Sequence, residues 1–423
     1  MREFFALLTA VFLLAVNSTV AQVDSTEVLL ESDTLVIIDD DPILAMMDSL
    51  MTSNLFNHYC YSSDVDLLNV FDFAKDSIPV YTDSIYARRL YLLDRETPMD
   101  LGYNSTVKGF IDLYARRRKE LSSKVLGLSN LYFPLIEETF DRYGIPLELK
   151  YLAIVESALN PTARSRVGAT GLWQFMYATG KMYGLQSTSY VDDRMDPYKS
   201  TEAAAKYLKY LHGLYDDWNL ALAAYNSGPG NVNKAIRRSG GKKDFWSISP
   251  YLPRETRGYV PAFIAVNYIM NYATEHNVYP EVCQLSFFDC DTIQISKGLR
   301  FDQLSAFTGI SVEELSRLNP RYKTGVIPEN GKKHTLLLPV DKVGVFLANE
   351  DSIYAYKKDE APKEIIEQEE EKITYRVRSG DVLGTIARKH GVSVNSIKSW
   401  NNIRGTTIYP GQKLIIHVNR KNG

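Results

Sequence analysis

Cysteine is scarce in this chain: 423 residues hold three, Cys60, Cys283 and Cys290. None forms a CxxC pair and the six histidines are scattered, so no set of ligands with metal spacing is legible, and neither metal nor cofactor is expected. Cys283 and Cys290 stand close enough to close a short loop if oxidised; an unpaired thiol is the alternative for each. An excess of positive charge is also missing. A net charge of -3 gives no basic patch, which excludes the nucleic-acid binders. Between residues 22 and 74 there is no lysine or arginine at all, and Asp39, Asp40 and Asp41 stand in the middle of that stretch. Apolar runs long enough to span a bilayer are lacking too. The run from Phe4 to Val16 is too short. With Arg2 before it and Thr19-Val20-Ala21 after it, it reads as an export signal cleaved near Gln22. No cysteine follows it directly, which argues against a lipid anchor there. What the chain does have is aromatic surface, 28 tyrosines and 4 tryptophans, which suits sugar rings as well as cores.

The pattern changes along the chain in a way that divides it. Residues 1–21 are the export signal, and 22–81 an acidic leader, part of which (Pro42 to Met47) is apolar enough to strap onto the next domain. Residues 82–284 are helical in period. Tyr86, Leu90 and Leu93 share one face, and Ile111, Tyr114 and Leu121 another. A long helix is expected from Ser200 as N-cap through Leu214, and another from Trp218 to the stop at Ser227-Gly228-Pro229-Gly230. Ala203–Ala205 and Ala221–Ala224 predict close helix packing. The last third repeats itself. Gly298, Leu304, Gly309, Ser311, Val312, Leu315 and Asn319 fall, eighty-two residues on, upon Gly380, Ile386, Gly391, Ser393, Val394, Ile397 and Asn401. Each copy, 285–345 and 372–419, reads as strand, helix, helix, strand. The Glu- and Lys-rich stretch 346–371 between them reads as a charged linker.

One residue breaks its pattern. In YLAIVESALNP, residues 151–161, a helix enters after Gly144-Ile145-Pro146 and ends at Asn160-Pro161. Leu149, Leu152, Ala153 and Leu159 recur at helical spacing, and Glu156 falls on their stripe. A carboxylate there costs several kcal/mol unless it is paired, hydrogen-bonded or protonated. A structural ion pair with Arg164 or Arg166 is the plainest explanation. A carboxyl held protonated by burial is the other, and it would be a general acid. Such an acid often works with a second carboxylate; Glu202 and Glu255 are the candidates, each set among exposed-looking polar residues.

ESALNP, GATGLWQFM, ALAAYNSGPG and ETRGYVP, in this order and spacing, resemble the soluble lytic transglycosylases of bacterial cell walls, in particular the membrane-bound type D branch. The resemblance covers roughly residues 84–280. It implies a mainly α, goose-type lysozyme-like (SLT) catalytic domain. YRVRSGDVLGTIARKHGVSVNSIKSWNN, followed by YPGQKLII, looks like a LysM module, a small α+β unit that binds N-acetylglucosamine-containing chains. The first copy has Gly298-Leu299 where the second has Gly380-Asp381, and its expected part is that of a spacer packed against the catalytic domain.

The resemblance also implies roles. Glu156 would be the sole acid and base, cleaving between N-acetylmuramic acid and N-acetylglucosamine to leave a 1,6-anhydro ring without consuming water. Ser157 and Gln174 would bind the sugar or its acetamido group, and Met176 would line the cleft. Tyr225 would hydrogen-bond Glu156, Asn226 would orient groups near the transition state, and Tyr259 would approach the glutamate from the far side. In the LysM module, Gly380, Asp381, Val382, Leu383, Asn401, Asn402 and Ile403 would face glycan. The expected setting is the periplasm or cell envelope. The expected partner is the glycan strand of peptidoglycan, bound by a monomer, with association to a membrane or envelope protein left open. Two other readings remain: a muramidase that uses water, and a wall-binding scaffold with an inactive cleft.

Overall fold

The computed structural model describes residues 60–62, 65–283, 286–356, 370–378, 380–390, 394–401, 403 and 405–419. The export signal, the apolar patch Pro42 to Met47, Asn402 and most of the charged linker lie outside the described residues. Among the described residues no helix is long and apolar enough to cross a membrane.

Among the helices of the first domain are α1 (Asp83–Asp94), α2 (Ser105–Asp112), α3 (Lys119–Tyr143), α4 (Leu152–Ser157), α5 (Pro197–Tyr215), α6 (Trp218–Ser227), α7 (Pro229–Arg238) and α8 (Arg254–Asn271), with the short helices Tyr177–Met182 and Phe245–Ile248 and several turns between them. Helix α8 is the axis. From Gly258 to Ile269 every residue is buried, as expected of a helix that is apolar all round, and it packs against α2, α4 and α6. The alanines of α5 and α6 are buried where those two helices meet, so their backbones approach closely. Trp173 is fully enclosed; its ring lies 5.5 Å from that of Phe140, and its Nε1 donates to Thr201 Oγ1 at 3.0 Å.

Helix α5 starts earlier than its sequence pattern predicts. Asp196 is the N-cap, accepting from the amides of Tyr198 and Lys199, and Pro197 supplies the first helical residue. Proline pre-sets that position, so Ser200 falls inside the helix, buried, with its hydroxyl on the Asp196 carbonyl at 2.7 Å. The end of the leader is fastened to this domain. Asn277 donates to the carbonyls of Ala74 and Ser77, Tyr279 to Asn69 Oδ1, and Tyr81 to the Glu275 carbonyl.

Both repeats adopt the expected order. In the first, strands Cys290–Ile295 and His334–Pro339 pair antiparallel around helices Phe301–Thr308 and Val312–Leu318. In the second, Glu370–Arg376 pairs with Lys413–Asn419 around Leu383–His390 and Val394–Trp400. The same asparagine locks each copy. Asn319 donates to the Leu315 and Leu337 carbonyls and accepts from the Leu337 amide. Asn401 does the same with Ile397 and Ile415. The span from the asparagine to its strand partner is 18 residues in the first copy and 14 in the second, so the first carries a longer loop.

The boundary at residue 345 is corrected. Helix Val340–Ala355 continues past it and buries Phe346 and Ile353 in the first module's core, so that module runs to Ala355. Of the two alternatives for Cys290, the structure has the unpaired thiol, and burial pushes its pKa up to about 11. In the backbone, Cys283 stands opposite Cys60, across the short pairing of Cys60–Ser62 with Glu281–Cys283.

Candidate active site

Helix α4 brings Glu156 to its place. A 3-10 turn, Leu147–Tyr151, follows Pro146 and leads into it, and Leu152, Ala153 and Val155 bury its inner face. The helix ends at Ser157, three residues sooner than the apolar spacing predicts. Ala158 and Leu159 both take positive φ, 50° and 60°, a conformation uncommon in residues other than glycine. Leu159 is still buried, but through this reversal rather than through helical spacing.

Tyr259 of α8 donates its hydroxyl to Glu156 Oε1. No cation among the described residues pairs with the carboxylate, and Arg164 and Arg166 are both exposed. The ion-pair explanation is therefore overturned. Burial pushes the Glu156 pKa up from the ordinary value near 4.5 to about 8. The Tyr259 hydrogen bond works against that rise, and the charge of Glu255 adds to it. The phenols of Tyr225 and Tyr259 are held well above their ordinary pKa, by burial first and then by the Glu156 charge. Both keep their protons at neutral pH and act as donors.

The hydrogen bond to Glu156 expected of Tyr225 is made by Tyr259 instead. Tyr225 lies near Glu156 but donates to the Trp173 carbonyl at 2.8 Å; Tyr259 is the one that holds the carboxyl. Ser157 is not open to a sugar. It is fully buried, and its hydroxyl lies 3.0 Å from the Ala153 carbonyl and 2.9 Å from that of Leu172. It ties the loop 168–175 to α4. Gln174 sits on that loop at a φ of 46°. Its Nε2 is taken by the carbonyls of Gly171 and Ala163, at 2.8 and 3.1 Å, which leaves Oε1 to accept. Asn226 Oδ1 accepts from Thr256 Oγ1 at 2.8 Å, which leaves the amide nitrogen to donate. Met176 is exposed just beyond the loop. Sequence reasoning missed Thr256, although it stands inside the ETRGYVP stretch, because only the fold sets it beside Asn226.

Glu202 is removed as a second carboxylate. It is engaged by the Tyr143 hydroxyl at 2.5 Å, by Arg142 at 3.3 Å and by Lys206 at 3.7 Å. Glu255 is exposed, four residues before Tyr259 and so on the same face of α8. Among the described residues no group of three His, Cys, Asp or Glu could hold a metal ion.

The loop itself depends on Gly171. Its φ is +90°, and a Cβ there would lie 1.8 Å from the Arg194 carbonyl oxygen. Gly171→Ala is expected to cost at least ~3 kcal/mol. Thermal unfolding should then fall by roughly 6–12 °C, while a wild-type melting temperature would mean that the loop shifts freely.

In the second repeat most expected sugar contacts have other duties. Asp381 Oδ2 accepts from the Arg378 amide at 2.7 Å and the Tyr375 hydroxyl at 2.8 Å, closing the turn at Gly380, whose φ is +86°. Leu383 is core, Ile403 packs against the core, and the Asn401 amide is fully used. Val382 faces outward.

Known proteins match in three places. The family described as "Transglycosylase SLT domain" matches residues 134–248, "Lytic transglycosylase MltD, LysM-like domain" matches 289–355, and "LysM domain" matches 375–417. The membrane-bound lytic murein transglycosylase D of Escherichia coli (strain K12) is 32% identical over 327 residues, 76% of this chain and 71% of that protein. This chain belongs to the membrane-bound lytic murein transglycosylase D family. The soluble lytic murein transglycosylase of the same strain is 34% identical over 152 residues, 33% of this chain and 24% of its own length. Among solved structures, the 70 kDa soluble lytic transglycosylase of Escherichia coli is 31% identical with a TM-score of 0.28, over 33% of this chain and 25% of that one. The transglycosylase match contains Glu156, Gln174, Tyr225 and Asn226 but stops before α8. In this member of the D family, Tyr259 therefore reaches the glutamate from a helix beyond the matched segment.

Proposed function

We propose that this peptidoglycan lytic transglycosylase, a lyase, cuts glycan strands with Glu156 as its only acid and base. The supporting observation is a half-buried glutamate whose carboxyl is held protonated near neutral pH, with a phenol as its hydrogen-bond partner. Protonated Glu156 gives its proton to the oxygen joining N-acetylmuramic acid to N-acetylglucosamine, and the bond from that oxygen to C1 breaks. The substrate's own N-acetyl group stabilises the cation at C1. Glu156, now a carboxylate, takes the proton of the muramic 6-hydroxyl as that oxygen closes onto C1. The product is a 1,6-anhydro ring, no water is consumed, and Glu156 ends protonated as it began.

The neighbours hold geometry. Tyr259 steadies the carboxylate in the interval when it is charged. Gln174 Oε1 and the Asn226 amide are the free acceptor and donor for the sugar or its acetamido group, and Met176 lines the cleft. Ser157 and Tyr225 act through the loop 168–175, which they fasten. The domain order is a leader, a catalytic domain, a fixed first module and a second module that holds glycan around Val382. Tethering of that kind raises local substrate concentration. The setting is the periplasm, reached by the export signal.

Glu255 favours one rival, a hydrolase in which it activates water. Digestion of purified peptidoglycan separates the two readings. Anhydromuramic ends support the transglycosylase, reducing ends support the hydrolase, and wall binding without products from folded protein supports a scaffold.

A further inference from the structure

We infer that the first LysM-like module is a fixed part of the catalytic unit, and that Arg321 within it is a positioning residue for the loop that carries Gln174. The inference rests on the transglycosylase reading for its effect on turnover, though not for its effect on structure.

The eighty-two-residue repeat sets Asn319, Pro320 and Arg321 at the positions of Asn401, Asn402 and Ile403, where the second module is expected to face sugar. In the first module this loop is covered. Asn319, Arg321 and Tyr322 are buried, and residues 321–323 lie along residues 188–192 of the catalytic domain. The Asp192 amide donates to the Arg321 carbonyl and the Lys323 amide to that of Tyr190, both at 2.9 Å, and Val191 bridges to Tyr322. Val191 completes the apolar core of the module itself.

The polar part of the contact leads to the active site. Arg321 Nη2 lies 2.6 Å from Asp193 Oδ1 and Nη1 lies 3.1 Å from Asp196 Oδ2, with all three side chains buried. Asp196 is the cap of α5, whose Thr201 holds the Trp173 indole. Between Asp193 and Asp196 in sequence is Arg194. Its Nε and Nη2 are held by Asp192 at 3.0 and 2.7 Å, and its Nη1 donates to the carbonyls of Gly168 and Phe175 at 3.0 and 3.3 Å. Those two carbonyls are the two ends of the loop bearing Gln174. The Arg194 carbonyl is also the atom against which Gly171 sits.

Charge makes Arg321 necessary. Asp192, Asp193 and Asp196 are balanced by Arg194, Arg321 and the more exposed Lys199. Without Arg321, buried Asp196 loses its ion-pair partner and Asp193 keeps only the more exposed Lys199, and breaking a buried pair in this way is strongly unfavourable. A plain spacer would need none of this; an apolar patch would hold it.

The test uses the full chain with Arg321→Ala and Arg321→Lys, assayed on soluble glycan strands from pH 5 to 10. Arg321→Ala is expected to lower kcat/KM by about a hundredfold, and Arg321→Lys, which can meet one carboxylate, by less. The alkaline limb set by Glu156 should move down as water enters. The titratable groups acting on that carboxyl are Tyr259 and Glu255, with Tyr225 close by, and none of them is altered by these variants. If Arg321→Ala does not fold, the variant Arg321→Met, Asp193→Asn, Asp196→Asn removes the charges together; it still lacks the two contacts by which Arg321 holds residues 193 and 196, so it should fold and be slow, and wild-type kcat/KM in it would overturn the inference.

Hydrogen exchange reads the coupling without turnover. The amides of Gly171, Gln174 and Phe175, all hydrogen-bonded within the loop region, should exchange at least about tenfold faster in the variant, while α8 stays protected. Wild-type kcat/KM with an unmoved limb and unchanged loop exchange in a folded variant would overturn the inference. An inactive wild type whose loop exchange still depends on Arg321 would overturn the catalytic reading alone.

Discussion

Glu156→Gln is expected to lower turnover on peptidoglycan by about a thousandfold or more, because one group supplies both proton transfers and each is worth roughly 10²–10⁴-fold. The same change is expected to stabilise the fold at alkaline pH. The Glu156 carboxyl has a pKa of about 8 in the folded protein, above its ordinary 4.5. The folded state therefore binds this proton more tightly than the unfolded chain does. Stability that is present below pH 4.5 is lost as pH rises toward 8 and stays lost above it. Glutamine carries no such charge. At pH 9 the variant should gain about 2–4 kcal/mol over the wild type, and at pH 4 it should gain nothing from this source. Thermal melts of both proteins at the two pH values check it. An equal difference at both would mean that the carboxyl is as well solvated folded as unfolded.

Tyr259→Phe should separate the acid from its support. The phenol donates to Glu156 and holds its pKa below the level that burial alone would set. Without it the alkaline limb of the rate profile moves above 8. Turnover falls by about 10–100-fold, because a hydrogen bond to a charged group is worth roughly 1.5–3 kcal/mol and the carboxylate forms during the reaction. Tyr225→Phe makes the contrast. It strips the Trp173 carbonyl of a donor, which costs about 1–3 kcal/mol of stability, and it leaves the limb near 8. A limb that moved with Tyr225→Phe and not with Tyr259→Phe would restore the arrangement expected from the sequence.

Much of this is legible in the sequence, and the failures have causes. Glu156 stands out by breaking an apolar stripe, and the helices of the catalytic domain and the strand–helix–helix–strand repeats follow from period and turn residues. That Tyr259 rather than Tyr225 holds the carboxyl is not legible. Both are near the carboxyl, and only the rotation of α6 against α8 decides which hydroxyl meets it. Ser157 lies next to Glu156 in sequence but points into the loop 168–175, since successive helical residues diverge by about a hundred degrees. Asn401 recurs in both repeats because it locks the strand to the helix in each. Recurrence there marks structure, where glycan contact is expected. The role of the cluster of Asp192, Asp193, Arg194 and Asp196 is not legible in sequence, because one of its balancing cations, Arg321, lies 128 residues from Asp193.

The most direct test is digestion of purified peptidoglycan in water enriched in ¹⁸O, by the wild type and by Glu156→Gln, with the released ends read by mass spectrometry. The account predicts anhydromuramic ends that carry no label from the wild type, and no products from the variant. Reducing ends carrying ¹⁸O would contradict it, and would place an activated water, with Glu255 beside it, opposite Glu156.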